Sequence, residues 1–265
     1  MALKFCANLS MMFTEHETLK ARIEAAGKAG FHAFEVAFPY EAPLEDLHDV
    51  KEKYKMSLEL INTFPGNEGQ LGFAALPGRE KEFRESLEKA ISYAKALKCK
   101  RIHVMSGKIF SSKIVDSAMS DIYFENLSLA ADLLEEERLI GLIEPINNRT
   151  VPGYFMNSFK TAVDVIKRIN KPSLRLQLDI FHLQQIEGNI TQKLKQLLPY
   201  TEHIQIAQVP DRHEPNTIGE LNYKYVLKLL EDLKYDKWIG LEYIPEEDTS
   251  KGLSWLEEYG YSRRC

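Results

Sequence analysis

Four oxygen-bearing side chains recur in the second half of the chain, each at or near the end of an apolar run. They are Glu144, Asp179, Gln205 and Glu242, and their separations of 35, 26 and 37 residues are each about one strand–helix unit. A carboxylate at the end of a buried strand, as in LRLQLDIF (174–181), is unfavourable unless another group compensates its charge. The spacing therefore predicts that these side chains meet at one site.

This set of side chains is typical of a divalent-metal site. Three carboxylates that lie close together raise one another's pKa unless a cation lies among them. Ligation by oxygen atoms alone suits Mg²⁺ or Mn²⁺ better than Zn²⁺. We therefore predict Glu144, Asp179, Gln205 and Glu242 as metal ligands. The alternative for each acidic position is a solvated residue at the rim or the partner of a lysine, and for Gln205 an amide bonded to the backbone.

Two further residues are candidates for substrate binding. His182 lies three residues after Asp179, although this spacing alone favours a histidine at the edge of the core that bonds to the backbone. Arg212 lies in QVPDRHEPNTIGELN (208–222), which is long and rich in turn residues, as active-site loops are. Its guanidinium could bind an anionic substrate or lie on the surface, and its position leaves both interpretations open. Three more polar residues lie in apolar runs without an assigned role: Glu35, Glu59 and His103.

Short apolar runs alternate with longer amphipathic segments along the whole chain. The eight runs span residues 3–9, 33–38, 57–64, 101–107, 139–146, 174–181, 203–209 and 238–244. Several of the helical segments between them open on Ser, Asn or Thr, which are preferred N-cap residues. The alternation predicts an α/β fold, a single (β/α)8 TIM barrel over residues 1–265, with catalytic groups at the carboxyl ends of its strands. The alternative is an open doubly wound sheet, but no G-x-G-x-x-G motif follows the first strand.

The composition argues against several classes of partner. Hydrophobic residues make up 44% and charged residues 28% of the 265, and the net charge is −5. This charge does not favour a nucleic acid or an anionic membrane as partner, and no apolar run approaches the roughly 18 residues of a membrane span. Cys6, Cys99 and Cys265 are odd in number and widely spaced, and the amino terminus lacks the pattern of a secretory signal. We therefore expect a cytoplasmic protein.

Several motifs resemble those of the hydroxypyruvate isomerases, within the xylose isomerase-like barrel superfamily. They are EPIN (144–147), DIFH (179–182), QIAQVPDRHEP (205–215), GELNY (219–223) and GLEY (240–243), with CANLSMMFTE (6–15) and LPGREKEFRESLEKAISYAKAL (76–97). The resemblance covers essentially the whole chain. It implies an intramolecular oxidoreductase of the aldose–ketose type that converts hydroxypyruvate to tartronate semialdehyde (2-hydroxy-3-oxopropanoate) without an organic cofactor.

The resemblance also implies roles for individual residues. Glu144 and Glu242 correspond to the two acid/base glutamates, and with Asp179 and Gln205 they correspond to the ligands of a divalent metal. His182 and Arg212 correspond to positions that contact the substrate, a small hydroxy-oxo acid. Family members often associate, so a homo-oligomer is expected, and the segment 255–261 would either cover an interface or pack on the barrel.

The chain departs from the family pattern at two places. Asp211 stands where the family usually has the glycine of a Pro-Gly-Arg motif, and this replaces a residue that adopts positive φ freely, so we expect a less secure position for Arg212. The loop TFPGNEGQLGFAALPG (63–78) is shorter than usual and lacks an arginine. We expect this loop to alter the lid and the range of substrates, but not the metal site.

Three other functions are compatible with parts of the pattern. An isomerase or epimerase of another short ketose or oxo sugar acid would share the metal site and differ in the substrate pocket. A metal-dependent hydrolase such as a DNA-repair endonuclease would need more histidine ligands and a basic face, whereas only His103 and His203 lie near corresponding strand ends. A non-catalytic barrel would have no use for the two acid/base glutamates.

Overall fold

A computed structural model describes residues 2–109 and 116–263. Within these residues the strands form one parallel sheet, ordered β3-β2-β1-β9-β8-β7-β6-β5-β4. The strands are β1 (Lys4–Asn8), β2 (Ala33–Glu35), β3 (Ser57–Leu58), β4 (Ile61–Asn62), β5 (Arg101–His103), β6 (Ile140–Ile143), β7 (Leu174–Asp179), β8 (Thr201–Ile206) and β9 (Trp238–Leu241). All eight predicted apolar runs contribute to this sheet.

The sheet closes at β3 and β4, which together correspond to the single run predicted at 57–64. The backbone N–H of Glu59 donates to the carbonyl of Phe34 in β2 at 2.8 Å, and that of Thr63 donates to the carbonyl of His103 in β5 at 2.8 Å. One chain segment therefore pairs with strands on both of its sides, and the nine short strands occupy eight barrel positions. The predicted barrel is confirmed.

Helices surround the barrel. They are α1 (Leu19–Lys28), α2 (Leu44–Lys53), α3 (Glu80–Leu97), α4 (Asp116–Glu136), α5 (Phe159–Ile169), α6 (Ile180–Ile186), α7 (Ile190–Leu197), α8 (Tyr223–Asp232), α9 (Thr249–Gly252) and α10 (Ser254–Glu258). Thr18, Ser158 and Asn222 cap α1, α5 and α8 through side-chain oxygens, as the sequence indicated. In the part of the chain that is described, no helix is long and apolar enough to cross a membrane.

The alternation of side chains along the strands separates an apolar layer from a polar barrel interior. In β7, Leu176 and Leu178 are buried in the hydrophobic core with the helices, whereas Gln177 contacts Gln205 of the neighbouring strand β8 and Asp179 contacts Arg212 in the loop after β8. The period of two in a strand produces this division. Trp255 is also fully buried, 5.9 Å from the ring of Phe5, so the carboxyl-terminal segment packs on the barrel at this residue.

Buried ion pairs join strands at the amino-terminal end of the barrel. Arg101, the first residue of β5, donates from Nη1 to Glu59 at 2.8 Å and from Nη2 to Glu202 at 3.1 Å. Lys237 adds a contact of 2.6 Å to Glu202. These charges lie at the opposite end of the strands from the predicted site, so they stabilise the barrel and take no part in that site.

Arg101→Met is expected to lower the free energy of unfolding by about 3–5 kcal/mol, because it leaves the buried carboxylate of Glu59 without its cation, whereas Glu202 retains Lys237. Urea denaturation monitored by circular dichroism measures the change. Lys20→Met, which breaks an exposed pair with Asp46, is the control and should leave the stability nearly unchanged. Equal stabilities of Arg101→Met and the wild type would contradict the structural role of this cluster.

Candidate active site

The structure brings the four predicted oxygen ligands to the carboxyl ends of neighbouring strands. Glu144 directly follows β6, Asp179 ends β7, Gln205 lies in β8 and Glu242 directly follows β9. The first three are buried, and 16% of the Glu242 side chain is exposed. The site therefore opens to solvent on the side of Glu242.

Asp179 contributes one carboxylate oxygen to the fold and the other to the site. Its Oδ1 accepts from the backbone N–H of Phe181 at 2.7 Å and caps α6. Its Oδ2 lies 3.5 Å from Nε2 of His182 and 3.4 Å from Nη2 of Arg212. The predicted strand 174–181 is thus too long, since α6 begins at Ile180, because a side-chain cap makes the helix start there.

Arg212 lies across the carboxylates as their counter-charge. Its Nη2 donates to Oε2 of Glu242 at 2.5 Å and reaches Asp179, and its Nε donates to the carbonyl of Glu242 at 3.3 Å. The guanidinium also lies 4.7 Å from the ring centre of Phe181. The sequence prediction that Arg212 belongs to the site is therefore consistent with its position.

The expectation that Asp211 makes the position of Arg212 less secure is wrong as far as the backbone conformation is concerned. The positive φ in this loop belongs to Arg212 itself, at 62°, and Asp211 has no positive φ. The backbone of Arg212 bonds at both ends, its N–H to the carbonyl of Gln208 at 2.9 Å and its carbonyl to the N–H of Ile244 at 2.8 Å. Position 211 does not need the conformational freedom of glycine here.

The hydrogen-bond partners of His182 determine which of its ring nitrogens carries the proton. Oδ1 of Asn147 accepts from the backbone N–H groups of Arg149 and Thr150 at 2.9 Å each, so the amide NH₂ of Asn147 must face the histidine. That NH₂ lies 2.7 Å from Nδ1 of His182, which acts as an acceptor. The proton is then on Nε2, which faces Asp179 and lies 3.8 Å from Oε1 of Glu144. His182 is thus a hydrogen-bond donor to the site.

The electrostatics of the site favour a cation. Burial, aided by Glu242 and Asp179, raises the pKa of Glu144 well above its usual value. Burial also raises the pKa of Asp179, and it raises that of Glu242 to about 8, although Arg212 opposes both shifts. The pKa of His182 is lowered well below its usual value, by burial and then by Arg212, so the ring is neutral. Three carboxyl groups that resist joint ionisation fit a divalent cation.

The ligand atoms of Glu144, Asp179 and His182 lie within 4.8 Å of one another, a spacing that could hold a metal ion. Oε1 of Gln205 accepts from Nε2 of Gln177 at 2.6 Å, and a carbonyl oxygen has a second lone pair for a cation. Because Nε2 of His182 carries its proton, the carboxylates and Gln205 fit the role of ligands better than this histidine does. The residues present therefore fit a metal held by oxygen atoms.

Sequence reasoning left several residues near the site without a role. Gln177 donates from Nε2 to Oε2 of Glu144 at 3.0 Å, and Nδ1 of His103 lies 3.3 Å from the same oxygen without forming a hydrogen bond. Burial lowers the pKa of His103 to about 3. Glu35 lies farther inside the barrel and bonds to Gln205 at 2.7 Å. The only indication in the sequence was that these polar residues alternate with apolar ones in strands.

The loop 63–78 packs against the segment that follows β5. The N–H of Ala75 donates to the carbonyl of Ser106 at 2.8 Å, and the N–H of Gly107 donates to the carbonyl of Leu71 at 3.0 Å. Gly72 has a φ of 102° and a Cβ there would overlap the carbonyl of Met105, so this approach requires glycine. The effect of this loop on substrate range stays a prediction. Cys6 and Cys99 are buried free cysteines, and Cys265 lies outside the described residues.

Comparison with known proteins agrees with this architecture. The family model described as xylose isomerase-like TIM barrel matches residues 23–259. The chain belongs to this family. A Danio rerio protein provisionally named as a hydroxypyruvate isomerase is 48% identical, covering 98% of this chain and 97% of its own. The hydroxypyruvate isomerase of Escherichia coli K12 is 40% identical, covering 97% and 99%.

Two other relatives carry different names. The 2-oxo-tetronate isomerase of Cupriavidus necator is 43% identical over 97% of this chain and 98% of its own. A solved structure from Brucella melitensis, described as an AP endonuclease of family 2, has a TM-score of 0.92 at 39% identity and covers 97% of this chain and 99% of that chain. The resemblance inferred from motifs is therefore confirmed at the level of the family.

The raised pKa of Glu242 makes the metal-free protein less stable at high pH. A carboxyl group with a folded pKa of about 8 and an ordinary value of 4.5 contributes stability that is full below pH 4.5 and is lost as the pH rises through 8. Chelator-treated wild type should therefore lose stability over this range, relative to Glu242→Gln, by up to about 1.4 kcal/mol per pH unit. Urea denaturation from pH 5 to pH 8.5 tests this, and parallel curves would contradict it.

Proposed function

We propose that this protein is an isomerase of short hydroxy-oxo acids, and that it interconverts hydroxypyruvate and tartronate semialdehyde. The observation that carries the proposal is the convergence of Glu144 and Glu242 at the mouth of the barrel, on either side of Asp179 in strand order. Burial raises the pKa of both glutamates, that of Glu242 to about 8, and an acid/base group works best when its pKa lies near the working pH. The names of the relatives at 40–48% identity support the same class of reaction.

The side chains of this chain have distinct tasks in the proposed reaction. Arg212 binds the substrate carboxylate, since a guanidinium has five N–H donors and its present contacts use two of its nitrogen atoms. His182 donates from Nε2 to a substrate oxygen. One of the two glutamates, in its ionised form, removes a proton from the carbon that bears the hydroxyl group, and an enediolate forms.

The other glutamate, in its protonated form, returns a proton to the neighbouring carbon. The hydroxyl proton passes to the adjacent oxygen in the same conversion, so that the carbonyl and hydroxyl groups exchange places and no redox partner is needed. The two glutamates exchange roles when the reaction runs in the opposite direction. General acid–base assistance of this kind contributes about 10²–10⁴-fold to the rate.

We also propose that Glu144, Asp179, Gln205 and Glu242 hold Mg²⁺ or Mn²⁺, and that no organic cofactor takes part. When bound, the ion would act as a Lewis acid on the two neighbouring substrate oxygens. We propose further that residues 1–265 act as one catalytic domain in the cytoplasm, as a homo-oligomer, with no nucleic acid or membrane as partner.

The second candidate substrate is 2-oxo-tetronate, a hydroxy-oxo acid that is one carbon longer. The 43% identity to an isomerase of that name supports it. Both substrates have the same reacting carbons and a carboxylate for Arg212, so the pocket beyond them decides between the two. An endonuclease activity is less compatible, because the site is acidic and the net charge is −5, whereas binding of a phosphate backbone relies on cations.

Proton NMR of hydroxypyruvate in D₂O tests the proposal directly. With chelator-stripped protein we expect no conversion, and after addition of Mg²⁺ or Mn²⁺ we expect tartronate semialdehyde with deuterium bound to carbon. The same assay with 2-oxo-tetronate compares kcat/KM for the two substrates. Failure with both acids in the presence of either metal would contradict the proposed function.

Glu144→Gln and Glu242→Gln should each lower kcat by at least about 10²-fold, because an amide cannot transfer the proton. The isosteric change should preserve the fold, which circular dichroism checks. Glu88→Gln, at an exposed position on α3, is the matched control and should retain full activity. A rate near that of the wild type in either site variant would contradict the two-glutamate scheme.

Arg212→Ala should raise KM by about 10-fold or more, since a charge-assisted hydrogen bond contributes about 1.5–3 kcal/mol. Steady-state kinetics with hydroxypyruvate measure this effect. Arg84→Ala, which removes an exposed arginine from α3, should leave KM unchanged. An unchanged KM in Arg212→Ala would exclude this arginine from substrate binding.

A further inference from the structure

A second buried cluster lies inside the barrel, deeper than the proposed active site. Glu35 ends β2, and His203 lies in β8, two residues before Gln205. The side chains of Glu35 and His203 are 1% and 0% exposed. Neither side chain belongs to the proposed metal ligands or acid/base groups, and a buried carboxylate requires a reason.

Four donors converge on the carboxylate of Glu35. Oε1 accepts from Nδ2 of Asn8 and from Nε2 of Gln205, both at 2.7 Å. Oε2 accepts from Nε2 of His203 at 2.5 Å, and Sγ of Cys6 lies 3.5 Å away. A carboxylate surrounded by donors acts only as an acceptor, so each of its neighbours must turn an N–H or S–H group toward it.

This constraint decides the orientation of the Gln205 amide. If the NH₂ of Gln205 faces Glu35, its carbonyl oxygen must face the other way, where it accepts from Nε2 of Gln177 at 2.6 Å. Gln177 in turn donates to Glu144 at 3.0 Å. The opposite orientation would place an amide oxygen against the carboxylate of Glu35 and an NH₂ group, which cannot bind a cation, on the side of the metal ligands.

Asn8 connects Glu35 to the second acid/base glutamate, Glu242. Oδ1 of Asn8 accepts from the backbone N–H of Ser10 at 3.0 Å, and Nδ2 donates to both Glu35 and Oε1 of Glu242, the latter at 3.3 Å. Glu35 is therefore linked through one amide to Glu242 and through two amides to Glu144.

We propose that Glu35, held by His203, is a positioning residue that orients the Gln205 amide so that its oxygen, not its nitrogen, faces the metal site. The inference rests on the proposed function, since it assigns Gln205 to the metal. Glu35 itself contacts neither metal nor substrate. Glu35 acts on the affinity of the site for the metal ion, because a group that orients a ligand commonly changes metal affinity 10–100-fold.

The test is the affinity for Mn²⁺ alone, measured by electron paramagnetic resonance of the free ion in the absence of substrate. Glu35→Met retains the approximate size of the side chain and removes both acceptor oxygens. We expect it to weaken Mn²⁺ binding by about 10–100-fold. Glu59→Met is the matched control, because Glu59 is also a buried glutamate of the barrel, between β3 and β4, and Arg101 retains Glu202 as a partner. We expect the control to lose stability and to keep its Mn²⁺ affinity.

A second substitution separates orientation from general damage to the barrel. Gln205→Glu places an oxygen on both sides of the side chain, so its orientation no longer matters. Added to Glu35→Met, it should restore most of the lost Mn²⁺ affinity, whereas in the wild-type background it sets two carboxylates against each other and should give no such gain. Loss of affinity without this rescue would overturn the orienting role.

A third variant keeps the test decisive if Glu35→Met does not fold. A Cβ at Gly240 would overlap both carboxylate oxygens of Glu35, so Gly240→Ala displaces this group without changing its chemistry. It should also weaken Mn²⁺ binding about 10-fold. If Glu35→Met or Gly240→Ala binds Mn²⁺ with an affinity within twofold of that of the wild type, the orienting role of Glu35 is overturned, but the metal centre is not. Absence of Mn²⁺ binding in the wild type overturns the metal centre and the inference together, whatever the isomerase assay gives.

Discussion

Compensation of buried negative charge is the constraint on which this barrel depends. Glu144, Asp179 and Glu242 meet at its mouth and Glu35 lies deeper, each with little access to water. Such groups persist in a folded protein only where cations or N–H groups converge on them, because an uncompensated buried charge is strongly unfavourable. Arg212 provides a cation at the mouth, and the amides of Asn8 and Gln205 provide N–H groups inside.

The period of two along the strands makes this arrangement possible. Apolar residues such as Leu176 and Leu178 turn toward the helices and form the core, and their neighbours Gln177 and Asp179 turn inward. The barrel interior thus has its own hydrogen-bonded network, separate from the hydrophobic layer. Buried polar networks are stable only when the hydrogen bonds of their members are satisfied. The loss of one member therefore also affects the groups that are bonded to it.

Several side chains take part both in the fold and in the candidate site. Asp179 caps α6 with one oxygen and faces Arg212 with the other. His182 bonds to Asn147, as a core-edge histidine would, and this bond leaves its Nε2 proton directed into the site. A residue that is required for a helix start is held rigidly, and rigid placement favours catalysis.

The sequence by itself determined the barrel, the approximate place of its eight strand positions and the convergence of Glu144, Asp179, Gln205 and Glu242. These follow from local patterns, since hydrophobic period and strand–helix spacing depend on neighbouring residues only. It also indicated Arg212, through its loop and through the family resemblance. The start of α6 at Ile180 was missed, because a capping side chain overrides the continuing apolar run.

Only the tertiary structure decided how these side chains face one another. Glu35 and His203 are 168 residues apart in sequence, and no local pattern connects them. The tautomer of His182, the orientation of the Gln205 amide and the left-handed conformation of Arg212 likewise depend on partners from other strands and loops. Hydrogen bonds are directional and short in range, so their pairing is settled only when the closed barrel brings distant strands together.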